Sequence, residues 1–516
     1  MICSVFSTCL NNTNTNIDDK CSKYLDQYMI SNGAIYFHPH FNSIITDNII
    51  NLINLHQVHT LVFIDSITRL IESKQLDNET EKKLNEIKSH YDSCDKCKSF
   101  STSKFDKPID LVKCTSLKNI RFGNSFNQEV DKKLPNSLES LVFGNSFNKP
   151  IDLVKYTSLK NIRFGNSFNQ EVDKKLPDSL ESLIFGDSFN KSVDFLPENL
   201  IGLRFGRDFV YPINKLPYKL EYLKLGECYA YYKIDNLPWS IKTLVLGRDF
   251  NLPINNLPNS IQKLVLGTNF NQRMLVLPTG LKHLDLGTSY NKIVKNFPEG
   301  LEEFVMSDEY NFKIDNLPAK LKRIKFGRCF KKPIKSLPDG IEELVFNTRF
   351  NREILSYPNK LKKLKFGDNY NQVPTGLNNG LEYIEFGKCF NQPIDNFIPS
   401  TVKIIKFGES FNCPVDNLPS SIIHIKFGES FNCPVDNLPN SIETIEFGKN
   451  FSQPINNLPE NTTWIIFNKN VYTIPVENLP KSVNRVVVNE FTYYKDEQQL
   501  KQTFGKYFKL VTWRSK

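Results

Sequence analysis

The sequence predicts a mainly β solenoid, a stack of short coils whose strands form a parallel sheet, and three observations carry that expectation. One pattern, L-P-x-x-L-x-x-L-x-F-G-x-x-F-N-x-P-I-x-x, recurs from about Phe105 to about Val488. Its period of 20 to 21 residues lies at the short end of the roughly 20–50-residue periods that mark repeat architectures. Its most regular segment alternates apolar and polar side chains, the two-residue period of a strand. At 516 residues the chain is long enough for several ordinary domains. A repeat instead buries its apolar face against its neighbours, so one array of about eighteen coils is expected.

Each position of the coil has a reason. In Leu138-Glu139-Ser140-Leu141-Val142-Phe143, alternation sends Leu141 and Phe143 inward and Ser140 and Val142 outward. Gly144 then turns the chain, with positive φ expected there; Asn347 and Asn468 take the same column, as does Ser307. Phe147, four residues beyond Phe143, re-enters the core. Asn148 follows it and recurs as Asn127, Asn169, Asn371, Asn391, Asn412 and Asn432, a stack expected to satisfy the main chain of a buried bend between coils. The dipeptides Pro253-Ile254 and Leu257-Pro258 favour extended backbone on the return side and argue against helix there.

These motifs resemble the FNIP-repeat family, a relative of the leucine-rich repeats. Its name is spelled in Phe147-Asn148-Lys149-Pro150-Ile151 and Phe390-Asn391-Gln392-Pro393-Ile394. The resemblance covers roughly three quarters of the chain and is specific through repetition. It implies a leucine-rich-repeat-like solenoid of about eighteen 20 to 21-residue coils. It also implies a source among giant viruses of amoebae or slime moulds, where such proteins are frequent. Some members carry an F-box before the repeats, which implies recruitment of substrates to a ubiquitin ligase. Here residues 1–98 have neither the opening Leu-Pro nor the Cys-Lys-x-Trp-like run of an F-box, and the first tryptophan is Trp239.

The ends of an array need covering, because each exposes an apolar cross-section. Residues 1–98 read as a mixed α/β N-terminal cap, with helices near Asp18–Ile30, Asp47–Leu55 and Asn78–His90 and strands near Ala34–His38 and Val58–Ile64. Residues 99–490 form the repeat array. In residues 491–516, a helix from Asp496 to Tyr507 is expected to close the sheet edge after a last strand at Ser482–Val488. Lys107–Lys149 is nearly rewritten as Lys149–Lys191, so two coils were copied together.

Chemistry is sparse. The formal net charge of +9 is mild for this length, and a nucleic-acid binder concentrates its basic residues on one face. Eleven cysteines, mostly isolated and odd in number, read as thiols of an intracellular, cytoplasmic protein, in the host cytoplasm if it is viral. No segment is long and apolar enough for a membrane. His90, Cys94 and Cys97 could begin a zinc site, with Cys114 or His59 as a fourth ligand, but a single Cys-x-x-Cys more often means ordinary thiols. Cys228, Cys329 and Cys389 read as small packed hydrophobes, and Cys413 and Cys433 as a duplicated position. Acidic pairs such as Glu302-Glu303 and Glu342-Glu343 put one member outward as solvated surface. Phosphate loops and nucleophile elbows are missing, so neither catalysis nor a cofactor is assigned.

The function expected is therefore non-enzymatic: a scaffold that holds a protein partner through the outward side chains of its strands. Alternatives are a ubiquitin-ligase substrate adaptor, whose partners would include ligase components, and a nucleic-acid or other polyanion binder. The outward columns mix apolar, acidic and basic residues, which suits a protein partner. The candidate contact is the middle stretch. Arg323, Lys325, Lys363 and Lys365 form a basic block there, beside the apolar Val245, Val265 and Val305 and between Tyr222 and Tyr383.

Overall fold

The computed structural model describes residues 28–31, 33–37, 45, 47–63, 104–314, 316–395, 397–468, 472–489 and 497–514. The chain divides into two compact units, Met1–Ile261 and Gln262–Lys516. Each is a leucine-rich-repeat-like solenoid.

In the first unit, β1 (Tyr28–Ser31) runs antiparallel to β2 (Ala34–Phe37), and α1 (Asp47–Leu55) links β2 to β3 (Thr60–Phe63), which lies parallel to it. The three-residue strands follow in parallel order: β4 (Asn119–Arg121), β5 (Ser140–Val142), β6 (Asn161–Arg163), β7 (Ser182–Ile184), β8 (Gly202–Arg204), β9 (Tyr222–Lys224) and β10 (Thr243–Val245). Three N-terminal expectations are met where the chain is described: the helix at Asp47–Leu55, the strand near 34–38, found at Ala34–Phe37, and the strand near 58–64, found at Thr60–Phe63. The expected helix at Asp18–Ile30 is corrected where it is described, since Tyr28 to Ile30 are strand. Its remainder, the helix at 78–90 and the His90/Cys94/Cys97 cluster lie outside the described residues.

The second unit contains β11 (Lys263–Val265), β12 (His283–Asp285), β13 (Glu303–Val305), β14 (Arg323–Lys325), β15 (Glu343–Val345), β16 (Lys363–Lys365), β17 (Tyr383–Glu385), β18 (Ile404–Lys406), β19 (His424–Lys426), β20 (Thr444–Phe447), β21 (Trp464–Phe467) and β22 (Arg485–Asn489). All pair in parallel, residue for residue. The C-terminal expectation needs correction. β22 is followed by α2 (Glu497–Phe504), a 3-10 turn at Gly505–Leu510 and β23 (Val511–Arg514), which adds in parallel to β22. The helix therefore does not close the sheet edge. It plugs the core instead: Leu500 and Phe504 are fully buried, with Phe504 against the rings of Phe467 and Tyr472 at 6.1 and 6.4 Å.

Aromatic stacking fixes the core. In the first unit Phe122, Phe143, Phe164, Phe185 and Phe205 stack ring on ring at 5.5–5.8 Å. Phe126, Phe147, Phe168, Phe189 and Phe209 form a second column at 5.9–6.2 Å. Within each coil the two rings lie 3.7–3.9 Å apart, which is why the four-residue spacing is kept. Stacks this regular add to plain area burial, at about 0.5–1.5 kcal/mol per aromatic pair.

The glycine column has a different cause from the one expected. Among the described glycines of the coils only Gly287 and Gly376 have positive φ, and neither Asn347 nor Asn468 does. Close approach is the constraint: a Cβ on Gly144 would sit 2.1 Å from the carbonyl oxygen of Gly123 in the coil below, and one on Gly165 2.0 Å from that of Gly144. Ser307 enters the column in the coil after Gly287, and its hydroxyl donates to the Tyr290 carbonyl at 2.5 Å.

The asparagine stack is real but lies at an exposed bend, not a buried one. The N–H of Asn148 donates to Asn127 Oδ1 at 2.9 Å, that of Asn169 to Asn148 Oδ1 at 2.9 Å, and that of Asn190 to Asn169 Oδ1 at 3.0 Å. Asn391, Asn412 and Asn432 repeat it at 2.9 Å. On the return side the Leu-Pro element forms a tight turn, as where the Leu138 N–H donates to the Pro135 carbonyl at 3.3 Å. Proline costs nothing here, because it is used only as an acceptor.

Candidate functional site

Strand geometry decides which side chains a partner can touch. The middle residue of each three-residue strand is buried and its two neighbours face solvent. The two outward columns are thus placed as the alternation predicts, and every expected contact residue lies on a strand face. Tyr222 and Val245 belong to β9 and β10 of the first unit. Val265, Val305, Arg323, Lys325, Lys363, Lys365 and Tyr383 belong to β11, β13, β14, β16 and β17 of the second. Tyr222, Arg323, Lys325 and Lys363 are exposed, whereas Val245, Val265, Val305, Lys365 and Tyr383 are half-buried.

The basic block is not a block of free charge, which corrects the sequence reading. Parallel register sets each residue beside the one about twenty positions on, and there the signs alternate. His283 Nδ1 lies 2.5 Å from Glu303 Oε2, and Arg323 reaches Glu303 at 3.0 Å and Glu343 at 3.1 Å. Lys363 continues the chain to Glu343 at 3.0 Å. In the other column Lys365 binds Glu385 at 2.7 Å, and the Tyr383 hydroxyl donates to the same carboxylate. Lys363 and Lys406 both stand over the Tyr383 ring, at 5.4 and 5.5 Å. Among the described residues Lys325 is the member of the block without an ion pair.

These contacts show in the acidities. Burial pushes the Glu303 carboxyl up, but His283 and Arg323 outweigh it and hold it below the usual range. Glu385 is likewise held low against its burial by Lys365 and Tyr383, while burial and then Glu385 push the Tyr383 phenol up. Glu302 and Glu342, just before their strands, pair with Lys322 and Lys362 at 2.6 and 2.8 Å. Both members of each acidic pair therefore face solvent, not one as expected. Such exposed pairs contribute little to stability, because water and salt screen them.

A more buried cluster sits on β19 and β20. Glu446 Oε2 accepts from Lys426 at 3.1 Å and from Asn468 Nδ2 at 2.9 Å, and Oε1 lies 3.1 Å from His424 Nε2 in a charge contact. Burial pushes this carboxyl up, yet His424, Lys426 and Asn468 bring it down from 4.5 to about 2. A lowered folded-state value means stabilisation that is complete above the unfolded value and lost as the pH falls through the folded one. Glu446→Gln should therefore cost about 1–3 kcal/mol at neutral pH. Its difference from the parent should shrink between about pH 4.5 and 2. Urea titrations at both ends of that window test this, and a penalty independent of pH would refute it.

The first unit's strand face is built differently. β4 to β9 present Arg121, Val142, Arg163, Ile184, Arg204 and Lys224 in one column, and Asn119, Ser140, Asn161, Ser182, Gly202 and Tyr222 in the other. Neither column holds a carboxylate. Among the described residues none of these four cations forms an ion pair. The sequence shows this contrast only once each residue is set beside its partner in the next coil.

The thiols are plain. Cys114 is buried, which pushes its thiol up to about 11. Cys228 and Cys329 are half-exposed and Cys389 exposed, so the expected packing as core hydrophobes is corrected for these three. Cys413 and Cys433 are free, each donating to an asparagine of the ladder, at 3.3 and 3.5 Å. Among the described residues no helix is long and apolar enough to cross a membrane.

Comparison with known proteins agrees with this architecture. The FNIP Repeat model matches residues 126–154, 157–188, 168–195, 251–289, 330–369, 373–410 and 434–470. Among solved structures, CroV588, a circular leucine-rich-repeat protein of the giant virus CroV, is 30% identical with a TM-score of 0.67, over 90% of this chain and 77% of that one. YopM from Yersinia enterocolitica is 17% identical with a TM-score of 0.43, over 72% of this chain and 87% of its own. No curated protein matches the sequence. With FNIP motifs recurring on a stacked, parallel-stranded frame, and a leucine-rich-repeat relative similar over most of both chains, the protein belongs to the FNIP-repeat family of leucine-rich-repeat proteins.

Proposed function

We propose that this protein is a non-enzymatic scaffold that holds a protein partner on the outward side chains of its strands, with residues 1–98 and 491–516 serving as caps. The observation that carries the reading is the contrast between the two sides of each strand. The inward residue is always a large aliphatic or Phe, whereas the outward ones change type from coil to coil. A fixed frame with a varied face supports recognition, because specificity comes from side-chain pattern while the frame supplies rigidity. In the second unit, ion pairs between coils hold Arg323, Lys363 and Lys365 in place, so little ordering remains to be done on binding. Val265, Val305 and Tyr383 supply apolar area beside them.

Affinity capture from an extract of the source cell tests the reading. The parent chain is compared with Arg323→Ala/Lys325→Ala/Lys363→Ala/Lys365→Ala and with a return-side control, Lys155→Ala/Lys219→Ala. A defined protein set lost in the first variant and kept in the control is expected. Ubiquitin-ligase subunits within that set would narrow the scaffold to a substrate adaptor. Recovery of nucleic acid alone, stripped by salt, would replace the reading with polyanion binding.

A further inference from the structure

We propose that the strand face of the first unit, from β4 to β9, docks an acidic peptide segment in polyproline II conformation with a carboxylate at every third residue. The proposal rests on the reading that strand faces hold proteins, and adds the chemistry and spacing of one partner.

Charge is the first argument. Arg121, Arg163, Arg204 and Lys224 stand in one column with Val142 and Ile184 between them, each in direct register with the next. In the second unit the fold sets glutamates beside the cations of its strands, as Glu343 stands between Arg323 and Lys363. Here it does not. Lys224 registers the surplus, since burial and then the charge of Arg204 hold its ammonium below the ordinary range, against the pull of Glu227 and Asp187. Those two carboxylates line the same groove outside the two strand columns and are engaged, Asp187 with the Arg207 N–H at 3.3 Å and Glu227 with Arg248 at 3.8 Å. The four cations line a groove of about 380 Å³. Unpaired guanidinium groups on a strand face ask for carboxylates, which they bind in a two-pronged fashion.

Spacing is the second argument. Arg121, Arg163 and Arg204 are on alternate strands, so they recur about every 9.6 Å. A polyproline II helix rises about 3.1 Å per residue with three residues per turn, returning the same face about every 9.3 Å. A β-extended ligand repeats its face about every 6.6 Å and falls out of step at once. Each strand of a DNA duplex carries a charge about every 3.4 Å along the helix axis and would set most of its phosphates over Val142 and Ile184. Those two apolar residues instead fit the uncharged positions of the peptide. Ser140, Asn161 and Ser182 in the parallel column offer hydroxyl and amide donors to its carbonyls, which a polyproline II chain leaves unbonded.

The test uses the full-length protein and two labelled peptides of one composition. In the first, three glutamates alternate with pairs of prolines; in the second, the three glutamates are contiguous. Fluorescence anisotropy should show the spaced peptide binding at least about tenfold tighter. Arg163→Ala should weaken it about fivefold or more, and Arg121→Ala/Arg163→Ala/Arg204→Ala should abolish it, at unchanged melting temperature. Lys155→Ala/Lys219→Ala, on the return side, should leave it unaltered. Equal binding of the two peptides, indifference to the arginines, or tighter binding of a single-stranded homopolymer would each overturn the proposal. If these peptides fail while the capture experiment returns a partner, only this proposal falls; if both fail, so does the scaffold reading.

Discussion

Phe326→Ala is expected to destabilise the protein by about 3–5 kcal/mol, whereas Lys325→Ala, one residue away, should change stability by less than about 0.5 kcal/mol. The Phe326 ring is fully buried. It stacks on Phe346 at 4.5 Å and touches Phe330 and Phe350 at 4.7 and 6.4 Å. Its removal leaves a void between coils that cannot collapse, because the coil spacing is set by main-chain hydrogen bonds on both sides. Lys325 faces water on the same strand. Denaturant titrations of both variants decide the matter, and equal losses would mean that the inward and outward assignment is inverted.

Gly428→Ala should cost about 3 kcal/mol or more, at or above the usual range for overpacking. An added Cβ would lie 1.7 Å from the Gly408 carbonyl oxygen and 2.3 Å from its carbon. Both groups are main chain, so neither can rotate away, and two coils must separate. Gly202→Ala is the control. On the strand face a Cβ there meets only Ser182 Oγ, at 3.9 Å, so the change should be neutral or stabilising by up to about 1 kcal/mol. Thermal unfolding of the two variants separates close approach from the backbone freedom of glycine. If both alanines cost the same, steric contact is not what selects the column.

The sequence made the frame legible because its constraints are local and repeated. Alternation in Leu141-Val142-Phe143 is visible within three residues, and the partner of each strand is the same segment one period on. The reason for the glycines was not legible, since a clash between Gly144 and Gly123 exists only after coils are stacked. Nor was the neutralisation of Arg323 and Lys363: Glu303 and Glu343 were in view as members of the columns, but pairing needs the register that sets them side by side. That the arginines of β4, β6 and β8 form no ion pair among the described residues escaped for the same reason. At the C-terminal end, Leu500 and Phe504 read as one face of a short helix, and nothing local said that this face would plug the core and leave β23 as the edge.

The parallel register has an evolutionary consequence. Strands stay aligned whether a coil holds 20 or 21 residues, because the extra residue is absorbed on the return side, so whole coils can be inserted without disturbing those already present. The doubled stretch from Lys107 to Lys191 is such an insertion, and it carries Arg121 over as Arg163. Copying two coils therefore copies one arginine of the strand face at its two-strand spacing. A chain growing this way gains valency in fixed steps, and a repetitive ligand would feel each step as avidity, with no new contact having to be invented.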